Sequence, residues 1–98
     1  MEDAGALSPG QIVFSRAGRD RGRAFITLRI IDERYVEVVD GDLRKIGNPK
    51  RKNVKHLQAT KRKAQAIGRK LASGEPIRNW ELRKALEDLR GCGDPGEF

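Results

Sequence analysis

The sequence is poor in the residues that build disulfides and metal centres. Cys92 is the only cysteine and His56 the only histidine, so neither an internal disulfide nor a zinc site with several cysteine ligands can form. Aromatic residues are scarce as well, with three Phe, one Tyr and one Trp. The core must therefore be small and largely aliphatic, and a deep cofactor pocket would consume much of it. We expect a non-enzymatic protein without cofactors or metals.

Long hydrophobic runs are also missing. None approaches the ~20 residues that a membrane-spanning helix needs. The segment from Met1 to Leu7 lacks the basic and then apolar order of a secretory signal. We therefore expect a cytoplasmic protein that does not bind membranes.

Positive charge is abundant, with 21 Lys and Arg against 14 Asp and Glu, a formal net charge of +7 and a pI near 10.1. Such an excess favours binding to polyanions, because the basic groups attract phosphates and release their counterions. No acidic residue lies between Asp42 and Glu75. A fold would normally intersperse carboxylates there to relieve repulsion, so we expect a partner to supply the countercharge. The alternative is a solvated basic face or a disordered basic arm.

Composition divides the chain into four segments. Residues 1–9 are predicted to form a flexible acidic tail, 10–58 a small barrel, 59–90 a helical extension and 91–98 a second flexible tail. The β-type runs of the barrel segment are 11–15, 24–31, 35–39, 42–46 and 54–57. Asp40-Gly41 stands between two of these runs and predicts a tight hairpin. Five short strands at this spacing favour a barrel over a flat sheet with two free edges. The fold class is therefore mainly β with two short C-terminal helices.

The helical segment is predicted to contain one helix from Thr60 to Ala72, and a second that Asn79 caps. The second helix carries an apolar stripe at helical spacing, formed by Leu82, Ala85, Leu86 and Leu89. If the stripe is exposed it favours a protein-docking role, whereas packing against the first helix makes it ordinary core. We expect it to be buried. The large aromatic residues are predicted to be core residues too, Trp80 by packing onto the barrel or the first helix, together with Phe14, Phe25 and Tyr35.

The segment 16–23 contains four arginines that alternate with small residues. Glycine lets a backbone approach a ligand closely, and arginine forks bind phosphates and stack on unpaired bases. This pattern suits an irregular RNA surface. A solvated hairpin loop in which Asp20 pairs with an arginine explains the pattern equally well. The carboxylate pairs Asp32/Glu33 and Asp40/Asp42 lie at strand ends, where such residues make turns, and His56 is predicted to be a surface residue without a catalytic role.

Residues 9–26, PGQIVFSRAGRDRGRAFI, resemble a KOW motif, which has a Gly-x-x-Val strand, a basic Gly-rich loop and a second strand. The continuation through 39–46, VDGDLRKI, and 48–57, NPKRKNVKHL, is similar to the archaeal and eukaryotic large-subunit ribosomal proteins of the "fourteen-e" type and to their short bacterial KOW-domain relatives. The resemblance covers residues 9–58, about half of the chain.

This resemblance implies an SH3-like barrel that binds ribosomal or other structured RNA through the loops around its first hairpin and through the basic segment 49–52, expected to lie on a loop. It also implies other ribosomal proteins as partners, and we expect a monomer when the protein is free. A protein-interaction adapter that uses the second helix remains the alternative. The resemblance places the RNA contacts at Ser15, Arg16, Arg19, Arg21, Arg23, Arg44, Lys45, Lys50, Arg51, Lys52, Lys55 and His56.

Overall fold

Five strands are followed by two helices in the computed structural model, which describes residues 7–92 apart from the side chains of Asp20 and of residues 88–92. The elements are β1 (Gln11–Ser15), β2 (Ala24–Ile30), β3 (Tyr35–Val39), β4 (Lys50–Asn53), β5 (Leu57–Lys63), α1 (Gln65–Ser73) and α2 (Asn79–Cys92). The strands form one antiparallel sheet in the order β4-β3-β2-β1-β5. The predicted class, mainly β with a helical C-terminal extension, is confirmed.

One face of the coiled sheet encloses a mainly aliphatic core. Its strands place alternate side chains inward, as a period of two requires, and the cluster is built from Leu7, Val13, Phe25, Val36, Val38, Val54 and Leu57. β4 and β5 are the two edges of the sheet. The Lys52 ammonium on β4 donates a hydrogen bond to the Ser15 hydroxyl on β1, at 2.9 Å. This bond links an edge strand to a strand three positions away across the interior of the coiled sheet.

The opposite face of the sheet packs against the helices. Ile12 and Ile26 on the sheet join Ile67 of α1 and Leu82 and Leu86 of α2 in a second buried cluster. The apolar stripe of α2 is therefore buried at Leu82 and Leu86, as predicted, while the side chain of Leu89 lies outside the described part of the chain. Each such leucine stabilises the fold by roughly 2 kcal/mol through the apolar surface that it removes from water.

The predicted Asp40-Gly41 hairpin is wrong, because residues 40–49 form a loop and no strand begins at Asp42. The Asp40 carboxylate accepts hydrogen bonds from the backbone N–H groups of Asp42 and Arg44, at 2.9 and 2.8 Å. A side chain that binds its own loop in this way competes with a strand ladder. The fourth strand is instead β4, whose residues were expected to lie on a loop.

Element ends in the second half of the chain also differ from the prediction. The short strand expected at 54–57 is a 3-10 turn from Val54 to His56, and β5 then continues to Lys63, so the first helix begins at Gln65 and not at Thr60. The tail expected over 1–9 ends earlier, because Leu7 fills part of the barrel core, while residues 1–6 lie outside the described chain. At the other end α2 includes residues 91 and 92, and 93–98 are not described.

Asn79 does not cap its own helix, contrary to the prediction. Its carboxamide oxygen accepts a hydrogen bond from the backbone N–H of Ile46, at 2.7 Å, and so ties the 40–49 loop to α2. The Glu81 carboxylate in the first turn of α2 instead accepts a hydrogen bond from the backbone N–H of Arg78, the residue before the helix, at 3.0 Å. Neither α1 nor α2 is long and apolar enough, over its described residues, to cross a membrane.

Glu81 also connects the two helices, because its carboxylate binds the Lys70 ammonium of α1 at 2.5 Å. The hydrogen bonds from Lys70 and from the Arg78 backbone hold the pKa of this carboxyl below its ordinary value of 4.5. A carboxyl whose pKa is depressed by folding stabilises the fold fully above the unfolded pKa, and this stabilisation is lost as the pH falls through the folded pKa.

We therefore expect Glu81→Gln to lower the thermal unfolding temperature at neutral pH and to lower it less at about pH 3, because the wild-type carboxyl gains protons as the pH falls towards its depressed pKa. Thermal unfolding of both proteins at the two pH values checks this. Glu33→Gln, at an exposed position of the β2–β3 turn, is the control. If Glu81→Gln lowers the unfolding temperature equally at both pH values, an ionic role for Glu81 is contradicted.

Candidate nucleic-acid interface

The loop between β1 and β2 is anchored at its base by the hairpin itself. The backbone N–H of Ser15 donates to the Arg23 carbonyl at 3.0 Å, and that of Gly22 donates to the Ser15 carbonyl at 2.8 Å. A 3-10 turn from Gly18 to Asp20 shapes the tip. Arg16, Arg19 and Arg21 are exposed on this loop. The hairpin therefore holds three guanidinium groups on one short, ordered connection.

The 3-10 turn between β4 and β5 lies directly beside this loop. The backbone N–H of Arg16 donates to the carbonyl of His56 at 2.7 Å. The turn itself is fixed by Asn53, whose side chain accepts from the backbone N–H of Lys55 at 3.0 Å. Lys55 and His56 are both exposed. Two connections that are about 40 residues apart in sequence thus meet at one edge of the barrel.

We call the exposed Arg, Lys and His residues of these two connections the basic rim: Arg16, Arg19, Arg21, Lys55 and His56. None of the carboxylates that the structure describes forms an ion pair with a rim residue. The Arg21 guanidinium donates a long hydrogen bond, 3.3 Å, to the Arg16 carbonyl, which curls its side chain over the loop. The rim therefore concentrates positive charge that the described part of the fold does not neutralise.

Two of the predicted RNA-facing residues point into the barrel. Ser15 and Lys52 are only 3% and 9% exposed, because each lies on the inward face of its strand, Ser15 two residues after Val13 and Lys52 opposite Val36. Besides accepting from Lys52, the Ser15 hydroxyl donates to the Ala17 carbonyl at 3.0 Å. These two hydrogen bonds fix the first turn of the β1–β2 loop from the interior side of the sheet. They support the rim and do not belong to its surface.

Three further predicted residues belong to the 40–49 loop or are bound to it. The Arg23 guanidinium forms an ion pair with the buried Asp40 carboxylate at 3.5 Å, so an acid partly neutralises it. Arg44 is half-buried and Lys45 is exposed. Both lie on the loop that α2 holds through Asn79 and through the Arg83 guanidinium, which donates to the Gly41 carbonyl at 2.7 Å. Arg23 thus connects the base of the rim to the 40–49 loop.

The last two predicted residues, Lys50 and Arg51, are on β4. Lys50 is half-buried and makes interactions within the protein. Arg51 is exposed on the outer face of the sheet, and its guanidinium lies 5.0 Å from the centre of the Tyr35 ring, within the range of a cation–π contact. Tyr35 is therefore a half-buried residue under an arginine and not a core residue, whereas Phe25 is fully buried as predicted.

Sequence reasoning missed one feature of the surface. Trp80 is 54% exposed, although it was predicted to pack onto the barrel or the first helix. It lines a surface pocket together with β5, α1 and α2. Its position could have revealed this, because Trp80 stands two residues before the buried Leu82, about 200° around the helix. A residue at that spacing faces away from the stripe.

No protein-family model matches the sequence.

Proposed function

We propose that this protein binds structured RNA without catalysing a reaction, and that the basic rim is its primary contact surface. The observation that carries the proposal is the backbone hydrogen bond between Arg16 and His56, since it joins two basic connections into one surface. Arginine and lysine contacts to phosphates give affinity, while the fixed shape of the two connections gives selectivity for an RNA shape. Ser15 and Lys52 act beneath this surface as positioning residues.

The RNA that we propose is ribosomal, and the site of action the cytoplasm, with other ribosomal proteins as neighbours. The resemblance of residues 9–58 to KOW-domain ribosomal proteins supports this choice, together with the β1–β2 loop that carries three exposed arginines in the position of the KOW loop. The adapter alternative needs an exposed stripe on α2. Since Leu82 and Leu86 are buried in the fold, that stripe is not offered to a partner at these positions.

The test removes one cation from each connection of the rim. Arg19→Ala combined with Lys55→Ala should weaken binding to a fluorescently labelled RNA hairpin roughly 50-fold at about 0.1 M salt, because two phosphate contacts no longer release counterions. Both side chains are exposed, so the thermal stability of the variant should match that of the wild type. Fluorescence anisotropy gives the affinity, and a thermal melt gives the stability.

The control carries the same loss of charge at two positions that do not belong to the rim. Arg29 is exposed on the outer face of β2, where its guanidinium forms an ion pair with Glu37 at 2.7 Å. Arg69 is exposed on α1, which follows the end of β5 that pairs with Gln11. Arg29→Ala with Arg69→Ala should keep near-wild-type affinity. If both double variants lose affinity equally, net charge and not the rim drives binding. Cosedimentation of the variants with large ribosomal subunits tests the ribosomal part of the proposal, which fails if the wild type does not sediment with them.

A further inference from the structure

A second basic surface lies on the helical side of the molecule, around the exposed Trp80. The end of β5 and the first turns of α1 and α2 surround an open pocket of about 670 Å³, a size common for small-molecule sites. Ile12, Ala64, Ile67 and Ala85 supply apolar lining. Ile12 and Ile67 belong to the buried cluster beneath the helices. The pocket therefore has a rigid apolar floor and a large aromatic side chain in its lining.

Lysines border this aromatic pocket on two sides. Lys61 and Lys63 stand two residues apart on β5, so they share a face of the strand, and both are exposed. Lys84 is exposed on α2, one helical turn after Trp80 and on the same side of the helix. No ion pair joins any of these three lysines to a carboxylate within the described residues. The border of the pocket is therefore positively charged.

The acid in the pocket lining does not cancel this charge. Glu81 lines the pocket, but its carboxylate is held by the Lys70 ammonium at 2.5 Å and by the backbone N–H of Arg78 at 3.0 Å. Its two oxygens are thus directed to the link between the helices. A ligand with negative charge meets lysines at the border of the pocket, while the acid is already engaged.

We propose that the Trp80 pocket binds an unpaired nucleotide of the RNA, with its base stacked on the indole and its flanking phosphates bound by Lys61, Lys63 and Lys84. The inference rests on the proposed function, since it takes the ligand to be RNA. A polynucleotide alternates planar bases with anionic phosphates, and an aromatic side chain bordered by cations complements both parts. An acidic peptide would satisfy the lysines, but it brings no planar group for the exposed indole. The protein thus contacts RNA at two places. The rim binds the structured part of the RNA, and the pocket binds a single-stranded nucleotide.

Trp80 is the only tryptophan of the chain, so its fluorescence reports directly on the pocket. The probes are two labelled RNA hairpins with the same stem and loop, one blunt and one with a single-stranded uridine tail. We expect the tailed hairpin to quench the fluorescence of the full-length wild type, because a stacked base quenches indole emission. The blunt hairpin should bind with little quenching.

Substitution of Trp80 separates stacking from charge. Trp80→Ala should weaken binding of the tailed hairpin roughly tenfold, the typical loss of one stacked base, and leave the blunt hairpin unaffected. Trp80→Phe keeps a stacking surface and should retain most of the affinity. The half-exposed position predicts that both variants fold, which a thermal melt verifies. The double variant at Arg19 and Lys55 should weaken both hairpins and thus reports on the rim separately.

The possible results distinguish the pocket from the rim. If Trp80→Ala binds the tailed hairpin as tightly as the wild type does, or if the tail causes no quenching, the pocket proposal is overturned and the rim is left standing. If neither hairpin binds the wild type, the proposed function fails and the pocket assignment fails with it. Quenching by polyglutamate but not by the tailed hairpin would assign the pocket to an acidic protein segment and also overturn the proposal.

Discussion

RNA affinity should fall roughly 10³-fold when salt is raised from about 50 to about 200 mM, provided that six or more phosphates contact the protein. The rim exposes three guanidinium groups and the Lys55 ammonium without an ion pair to a described carboxylate. Each phosphate that such a group neutralises releases condensed counterions, and raising the bulk salt concentration lowers the gain from that release. Anisotropy titrations of the labelled hairpin over a series of potassium chloride concentrations measure the effect.

The slope of log affinity against the logarithm of the salt concentration also gives the number of phosphate contacts. If duplex RNA behaves like duplex DNA, this slope should be about −0.9 for each phosphate contact. Each rim cation that is removed should make the slope shallower by about one unit. The double variant at Arg19 and Lys55 should therefore have a slope shallower by about two, while the control at Arg29 and Arg69 keeps the wild-type slope. An affinity that does not depend on salt would contradict a phosphate-binding rim.

The first three strands could be predicted from sequence because each is rich in β-branched and aromatic residues. The last two could not, and the reasons differ. β4 has the sequence KRKN, and nothing in its local pattern favours a strand. It forms because β3 offers backbone partners, with Val36 opposite Lys52. β5 contains Ala59, Lys61 and Arg62, residues compatible with a helix, and its pairing with β1 decides the outcome. Tertiary context overrides propensity in both cases.

The exposure of the candidate residues was predicted well where it follows from loop position and poorly where it depends on the strand face. Arg16, Arg19 and Arg21 lie on a hairpin loop, so their exposure follows from the predicted strands around them. Ser15 and Lys52 required knowledge of which strand face points inward, and Lys52 belongs to a strand that was not predicted. The neutralisation of Arg23 by Asp40 could not be predicted either, because it joins loops that only the three-dimensional fold brings together.

Gly41→Ala should destabilise the fold by roughly 2–5 kcal/mol, combining the backbone cost of positive φ with the cost of overpacking. Gly41 has φ +78°, and a Cβ built on it would overlap the Asn79 carbonyl oxygen and lie 3.0 Å from Leu82 Cβ. Both neighbours belong to the start of α2, so the methyl group would push the 40–49 loop away from that helix. A urea titration followed by circular dichroism measures the loss in the free energy of unfolding.

Gly22→Ala is the matched control, because Gly22 has a similar φ of +84° but no atom within 4 Å of the added Cβ. It should cost only the backbone part, about 1–2 kcal/mol. The difference between the two variants isolates the close approach of the 40–49 loop to α2. Equal destabilisation by both would show that this approach contributes nothing, and α2 would then be held to the barrel by its leucine stripe and side-chain hydrogen bonds alone.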